Sequence, residues 1–140
     1  TKTIVKNKSI ILIDDSLVRG TTCHKIVKML YESGAKEVHV RIACPEIKYP
    51  DFYGVDMPTK EELLAHKKSN QEMCEHIKAK SLKFLSLDGL YNALIKEKRN
   101  DVYPQFSDHY FTGDYPIKLI DKVEGLKIKQ LSLLSVKSTS

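Results

Sequence analysis

A chain of 140 residues with 41% hydrophobic, 29% charged and 8% aromatic residues holds one domain of ordinary globular protein. That composition excludes disordered and collagen-like classes, and the longest apolar run, Ile10–Ile13, is far too short to cross a membrane. The net charge of +5 comes from scattered lysines without interleaved aromatics, which suits small anionic ligands and argues against a nucleic-acid groove.

Cys23, Cys44 and Cys74 are odd in number and too far apart for a metal or redox pair. They read as three reduced thiols, placing the protein in the cytoplasm. No basic and apolar leader opens the chain, and Thr1 in place of Met predicts a processed or truncated product.

In chain order, Ile10–Ile13 shows no alternation, as expected of a central parallel strand covered on both faces. Cys23, Ile26, Val27 and Leu30 then form one helical stripe, and Gly34 stands where a left-handed cap is wanted. Val38, Val40 and Ile42 alternate with polar neighbours as a second strand. Strand, helix and strand together make a βαβ unit and imply a parallel sheet. Pro45 and Pro50 open an irregular stretch reaching Pro58. Thr59 and Glu62 form a capping box for a short helix through Leu63 and Leu64. A helix follows over Asn70–Ile77, then a third strand over Leu82–Leu85. Ser86 is placed to cap a helix carrying Leu90, Ala93 and Leu94. Residues 100–116 are irregular and aromatic, the last twenty repeat lysine and leucine, and Ser135–Ser140 reads as a loose tail. A doubly wound sheet wants about five strands, and three are visible. The chain therefore reads as the later half of an α/β domain.

The chemistry concentrates after the first strand, in I-I-L-I-D-D-S-L-V-R-G-T-T at 10–22. In an open parallel sheet, ligands bind beyond the carboxyl ends of the strands, where Asp14 and Asp15 emerge. Two adjacent carboxylates need a cation, hydroxyl donors or water, because unpaired buried charge is costly. Backbone N–H groups at a helix start make an anion-binding nest. Gly20 lets that backbone come close, Thr21 and Thr22 add hydroxyls, and Arg19 adds charge. Carboxylates for a ribose diol beside amides for its phosphate describe a phosphoribosyl site. A solvated Asp-Asp turn followed by an ordinary helix cap is the alternative. The spacing matches neither a P-loop nor a dinucleotide fingerprint.

The D-D-S-L-V-R-G-T-T segment resembles the phosphoribosyl-diphosphate motif of type I phosphoribosyltransferases, in the form found in the amidophosphoribosyltransferase family. Two further stretches are similar to that family: P-E-I-K-Y-P-D-F-Y-G-V-D-M-P at 45–58, with E-E-L-L-A-H after it, and F-T-G-D-Y-P at 111–116. The likeness runs in register from Val5 to Pro116 and on to Leu134. It implies a partial Rossmann-like type I phosphoribosyltransferase fold, a parallel sheet flanked by helices, with the N-terminal half of the domain missing. Residues 1–105 would be the later half of that domain and 106–140 a C-terminal extension.

The resemblance also implies an enzyme of de novo purine biosynthesis, in which ammonia from glutamine displaces diphosphate from phosphoribosyl diphosphate to give 5-phosphoribosylamine. Asp14 and Asp15 would then bind the ribose hydroxyls and help hold Mg2+. Ser16, Leu17, Val18, Arg19, Gly20, Thr21 and Thr22 would cradle the 5-phosphate, and purine nucleotides would enter the same pocket as inhibitors. The family's glutaminase half, with its nucleophilic cysteine, is not in this sequence, so no catalytic nucleophile is assigned. Homo-oligomers or association with the missing half are expected as partners.

Some family members carry an iron–sulfur cluster on four cysteines. Three of those positions here are Asp51, Ser107 and Tyr110, so no cluster is expected. Tyr49, Tyr53 and Asp56 are open between loop packing and the rim of the site. His24 is expected on the polar side of its helix, and His66, His76 and His109 show no carboxylate partner in the sequence. Two other readings stand beside the enzyme: an inactive remnant that binds nucleotide or a partner chain, and one half of a split enzyme. Poor solubility or self-association of the isolated chain is expected, because the apolar faces around Ile10–Ile13 lack part of their cover.

Overall fold

The apolar run at 10–13 becomes the middle of strand β1, Ser9–Asp14. The structure, a computed structural model, describes residues 2–53 and 59–117. A short helix α1, Lys2–Val5, precedes β1, and helix α2, Thr21–Glu32, follows it. Strand β2 is Glu37–Ile42. After a 3-10 turn at Lys60–Glu62 come α3, Leu64–Lys67, and α4, Asn70–His76. Strand β3 is Ser81–Phe84, followed by α5, Leu87–Ile95, and α6, His109–Thr112. The three strands pair in parallel in the order β1-β2-β3, with Leu12 beside Val40 and Val40 beside Leu82. This is the parallel, helix-flanked sheet that the βαβ pattern implies.

One sheet face is the core. Val38, Val40, Ile42 and Leu82 pack against Cys23 and Val27 of α2, Met73 of α4 and Ile77 at the cap that ends α4. Each such side chain contributes about 1.5–3 kcal/mol on burial. All three strands end on one edge of this layer, and the loop after β1 leaves from that edge.

The opposite face is polar on β2 and β3. Ser9 Oγ donates to Glu37 Oε2 at 3.2 Å, and Arg41 Nη1 donates to Ser81 Oγ at 3.0 Å. The hydrogen bond from Ser9 leads the effects that hold the Glu37 carboxyl below its usual range. The expectation for β1 is corrected on this face. Among the described residues β1 is an edge strand rather than a central one, and Ile11 and Ile13 are 65% and 72% exposed. An unpaired edge with apolar side chains is a template for association. Substituting Lys for Ile11 and Thr for Ile13 is expected to reduce self-association of the chain in sedimentation velocity. An unchanged distribution would acquit this strip.

Local signals decide the element ends. Gly34 adopts φ +93° after α2, and its N–H donates to Tyr31 O at 2.8 Å. Ser86 Oγ accepts from Gly89 N–H at 3.0 Å, capping α5 as its position predicts. The stripe expected on α5 is corrected: Ala93 and Leu94 are exposed, and Tyr91 is the buried residue of that helix. The reason lies downstream, where Tyr91 OH donates to Asp108 Oδ2 at 2.8 Å. The short helix expected through Leu63 is broken there by an extended Leu63 between the 3-10 turn and α3.

The aromatic stretch after residue 100 is well organised. Arg99 bonds Asp108 at 2.6 Å, Asp114 at 2.7 Å and Asp101 at 2.9 Å. Tyr110 O accepts N–H groups from Lys48 at 2.9 Å and Tyr49 at 3.1 Å, so α6 closes onto the loop after β2. Readings that concern residues 118–140, the lysine–leucine repeat and the tail among them, lie outside the described residues, as does Asp56. Among the described residues no helix is long and apolar enough to cross a membrane.

Candidate functional site

A cavity of about 420 Å³ opens at the carboxyl end of β1 and is lined by residues 14–23. All nine residues singled out as a phosphoribosyl cradle are on its wall, joined by Cys23. Strand β1 delivers half-buried Asp14 and exposed Asp15 to the rim, where Asp15 N–H donates to Asp14 Oδ1 at 3.0 Å. Ser16 Oγ donates to Asp15 Oδ1 at 3.2 Å. Among the described residues neither aspartate forms an ion pair. Their outward oxygens are left for solvent, a hydroxyl or a hard cation.

Leu17 is 2% exposed and belongs to the hydrophobic core. It anchors the loop, so only its backbone can serve a ligand. Val18 O accepts Leu64 N–H at 2.9 Å, tying the loop to α3. Arg19 leans outward onto Glu62, with Nε 3.2 Å and Nη2 3.1 Å from the same carboxylate oxygen. Gly20 has φ +78° and precedes α2, and its carbonyl accepts His24 N–H at 2.9 Å. A Cβ at that position would lie 2.8 Å from Leu64 Cδ2. In this structure the close approach at Gly20 is made to the Leu64 side chain of α3.

Thr21 and Thr22 are exposed in the first turn of α2, which carries no acidic residue there. The first N–H groups of a helix have no partner within it, and its dipole favours an anion at that end. Cys23 lies under the loop. Burial, reinforced by the Asp14 charge, pushes its thiol up to about 11, so it is protonated and a poor nucleophile at neutral pH. Burial likewise raises Cys44 and Cys74, and all three cysteines are free thiols.

The remaining candidates fall elsewhere. Tyr49 packs its ring on Gly113, and Tyr53 OH donates to Ile117 O at 3.1 Å, so both serve loop packing. The reading of His24 as solvated is corrected: it is half-buried, faces His76 at 6.5 Å between ring centroids, and its Nδ1 has no partner among the described residues. Its place in the first turn of α2 sets the ring beside His76, the last residue of α4, instead of in solvent. His109 also acquires a carboxylate. Its Nε2 lies 2.8 Å from Asp51 Oδ1, and both side chains are almost fully buried. Ser107 Oγ lies 3.1 Å from His109 Nδ1, and the Tyr110 ring stacks 4.1 Å away. Asp51, Ser107 and Tyr110 thus surround one histidine. A separation of 58 residues hid that pair from any sequence window.

The chain is 50% identical over 135 residues to an amidophosphoribosyltransferase of Rhizobium etli, a match covering 96% of this chain and 27% of that protein. It is 48% identical over 131 residues to the Staphylococcus epidermidis enzyme of the same name, covering 94% of this chain and 26% of that one. The chain is homologous to the amidophosphoribosyltransferases. It spans about a quarter of the length of these curated relatives. No protein-family model matches it. Among solved structures, the Bacillus subtilis glutamine phosphoribosylpyrophosphate amidotransferase complexed with ADP and GMP superposes with a TM-score of 0.74 at 42% identity. That match covers 83% of this chain and 25% of the other. A structure described as the allosteric regulatory enzyme of purine biosynthesis gives a TM-score of 0.69 at 41% identity over the same share. The amidophosphoribosyltransferase likeness therefore extends through sequence and backbone alike.

Proposed function

We propose that this chain carries the phosphoribosyl-diphosphate site of an amidophosphoribosyltransferase and forms the later part of its cytoplasmic phosphoribosyltransferase domain. In the complete enzyme, ammonia derived from glutamine displaces diphosphate from phosphoribosyl diphosphate and yields 5-phosphoribosylamine for purine synthesis. The observation that carries this reading is the 420 Å³ cavity walled by 14–23, in a chain half identical to enzymes of that name.

Asp14 and Asp15 accept the ribose hydroxyls. The Ser16–Thr22 backbone, with the Thr21 and Thr22 hydroxyls, holds the 5-phosphate at the start of α2. Displacement at the anomeric carbon builds positive charge on the ribose, and the two carboxylates stand where they oppose it. The loop's work is positioning and charge stabilisation. The oxygen donors of Asp14 and Asp15 suit Mg2+, which when bound supplies Lewis-acid charge at the leaving diphosphate. The nucleotides in the Bacillus subtilis complex support purine nucleotides as further ligands here. Association with the rest of the domain, or with other copies, supplies what these residues lack.

Calorimetric titration of the chain with phosphoribosyl diphosphate, with and without Mg2+, tests the site. The double substitution Asp14→Asn, Asp15→Asn is expected to weaken binding at least about tenfold, since hydrogen bonds to charged groups contribute about 1.5–3 kcal/mol each. It should also abolish any gain from Mg2+. Binding that survives both substitutions unchanged would refute the assignment.

A further inference from the structure

The phosphate loop is held from outside the cavity by one short segment. Glu62 belongs to the capping box at 59–62, where its Oε2 accepts Thr59 N–H at 3.0 Å and Thr59 Oγ1 at 3.3 Å. Its other oxygen takes both contacts from Arg19. Two residues on, Leu64 N–H holds Val18 O at 2.9 Å, and the Leu64 side chain abuts Gly20. Glu62 is therefore fixed by its own turn, whether or not Arg19 is present. Arg19, on a long side chain at the cavity wall, is the partner free to move.

We infer that Glu62 is the resident counter-ion of Arg19, which a dianionic phosphate ester must displace, and that it sets the anion affinity of the loop. This deepens the proposed phosphoribosyl site and rests on that reading. The balance of effects fixes the sign. The pair is about half exposed, 57% for Arg19 and 45% for Glu62, so it is weak enough for a doubly charged phosphate to break. Its loss costs the loop little shape, because the Leu64 tie and the packing at Gly20 remain. What its loss releases is a guanidinium able to make charge-assisted bonds, together with removal of a negative charge beside an anion site. Release outweighs lost order. Glu62 thereby favours ligands that bring two negative charges on one phosphate over singly charged anions. It acts through Arg19 and is a positioning residue.

The test uses the full chain with Glu62→Gln, since glutamine keeps an oxygen for Thr59 N–H and preserves the turn. With ribose 5-phosphate as probe, Glu62→Gln is expected to bind about three- to tenfold tighter at low salt. The gain should shrink below about twofold in an Arg19→Gln background, where only the long-range charge remains. Ribose without its phosphate should bind both forms equally. A merely structural role cannot produce tighter binding, and circular dichroism of each variant checks that the fold is retained. Unchanged or weaker binding by Glu62→Gln, where the parent chain binds, would overturn the inference and leave the site standing. Failure of both parent and variant to bind ribose 5-phosphate would overturn the site itself, and the counter-ion with it.

Discussion

Replacing Arg99 with alanine is expected to remove about 3–5 kcal/mol of stability at neutral pH, because a buried carboxylate loses its cation. The Arg99 side chain is 11% exposed and that of Asp108 4% exposed. Burial pushes the Asp108 carboxyl up, and the hydrogen bonds from Arg99 and Tyr91 outweigh it, holding the group below the ordinary carboxylate range. Arg99 is held well above its own ordinary value, first by Asp108 and then by Asp114. A carboxyl depressed in the folded state contributes stability that is complete above its unfolded value of about 3.9. That stability fades as pH falls through the lower folded value. The gap between parent and Arg99→Ala should therefore be widest near pH 7 and shrink progressively below about pH 4, as the pH falls toward the lower folded value at which Asp108 takes up its proton. Urea unfolding at pH 7 and pH 3.5 measures both arms. A gap below about 1 kcal/mol at pH 7 would mean that the cluster behaves as exposed surface pairs.

Gly20→Ala is the second large effect, with an expected cost of about 2–5 kcal/mol. Of this, about 1–2 comes from a left-handed backbone under a side chain and about 1–3 from overpacking. The packing share can be isolated by comparison with Gly34→Ala. Gly34 has a similarly positive φ of +93°, but an added Cβ there meets only Lys6, at 3.4 Å or more. At Gly20 it meets Leu64 at 2.8 Å, with His76 and Ile77 behind. Thermal unfolding should place Gly20→Ala clearly below Gly34→Ala. Gly20→Ala should also lose affinity for ribose 5-phosphate, because Val18, Arg19 and the start of α2 shift with it. Equal melting temperatures would show that Leu64 yields freely and that the close approach is not a constraint.

Much of the fold and the loop could be read from sequence because the signals are local. Ile10–Ile13, the Cys23–Leu30 stripe and the alternation at 38–42 each carry their own period. The Thr59–Glu62 box and the Ser86 cap are set by residues three apart. The cradle is a single segment of nine residues, so its wall could be named before its shape was known. What escaped was non-local. Asp51 with His109, Arg99 with Asp108 and Asp114, and Arg19 with Glu62 are pairings nine or more residues apart, with no periodic trace. The unalternating run at 10–13 described a strand built for cover on both faces. Among the described residues β1 lies at the edge of the sheet, and the chain spans a quarter of its relatives. The misread stripe on α5 has a similar origin, since a hydrogen bond to Asp108 decides which side of that helix turns inward.

Cys23 gives the loop a clock of its own. A thiol that is 2% exposed and protonated at neutral pH reacts with a disulfide reagent only while the structure above it is open. The rate of its modification, referred to that of the unfolded chain, converts directly into the free energy of opening the segment that covers it. The native sequence thus carries a reporter beneath the cradle, and every ligand that closes the loop will slow it.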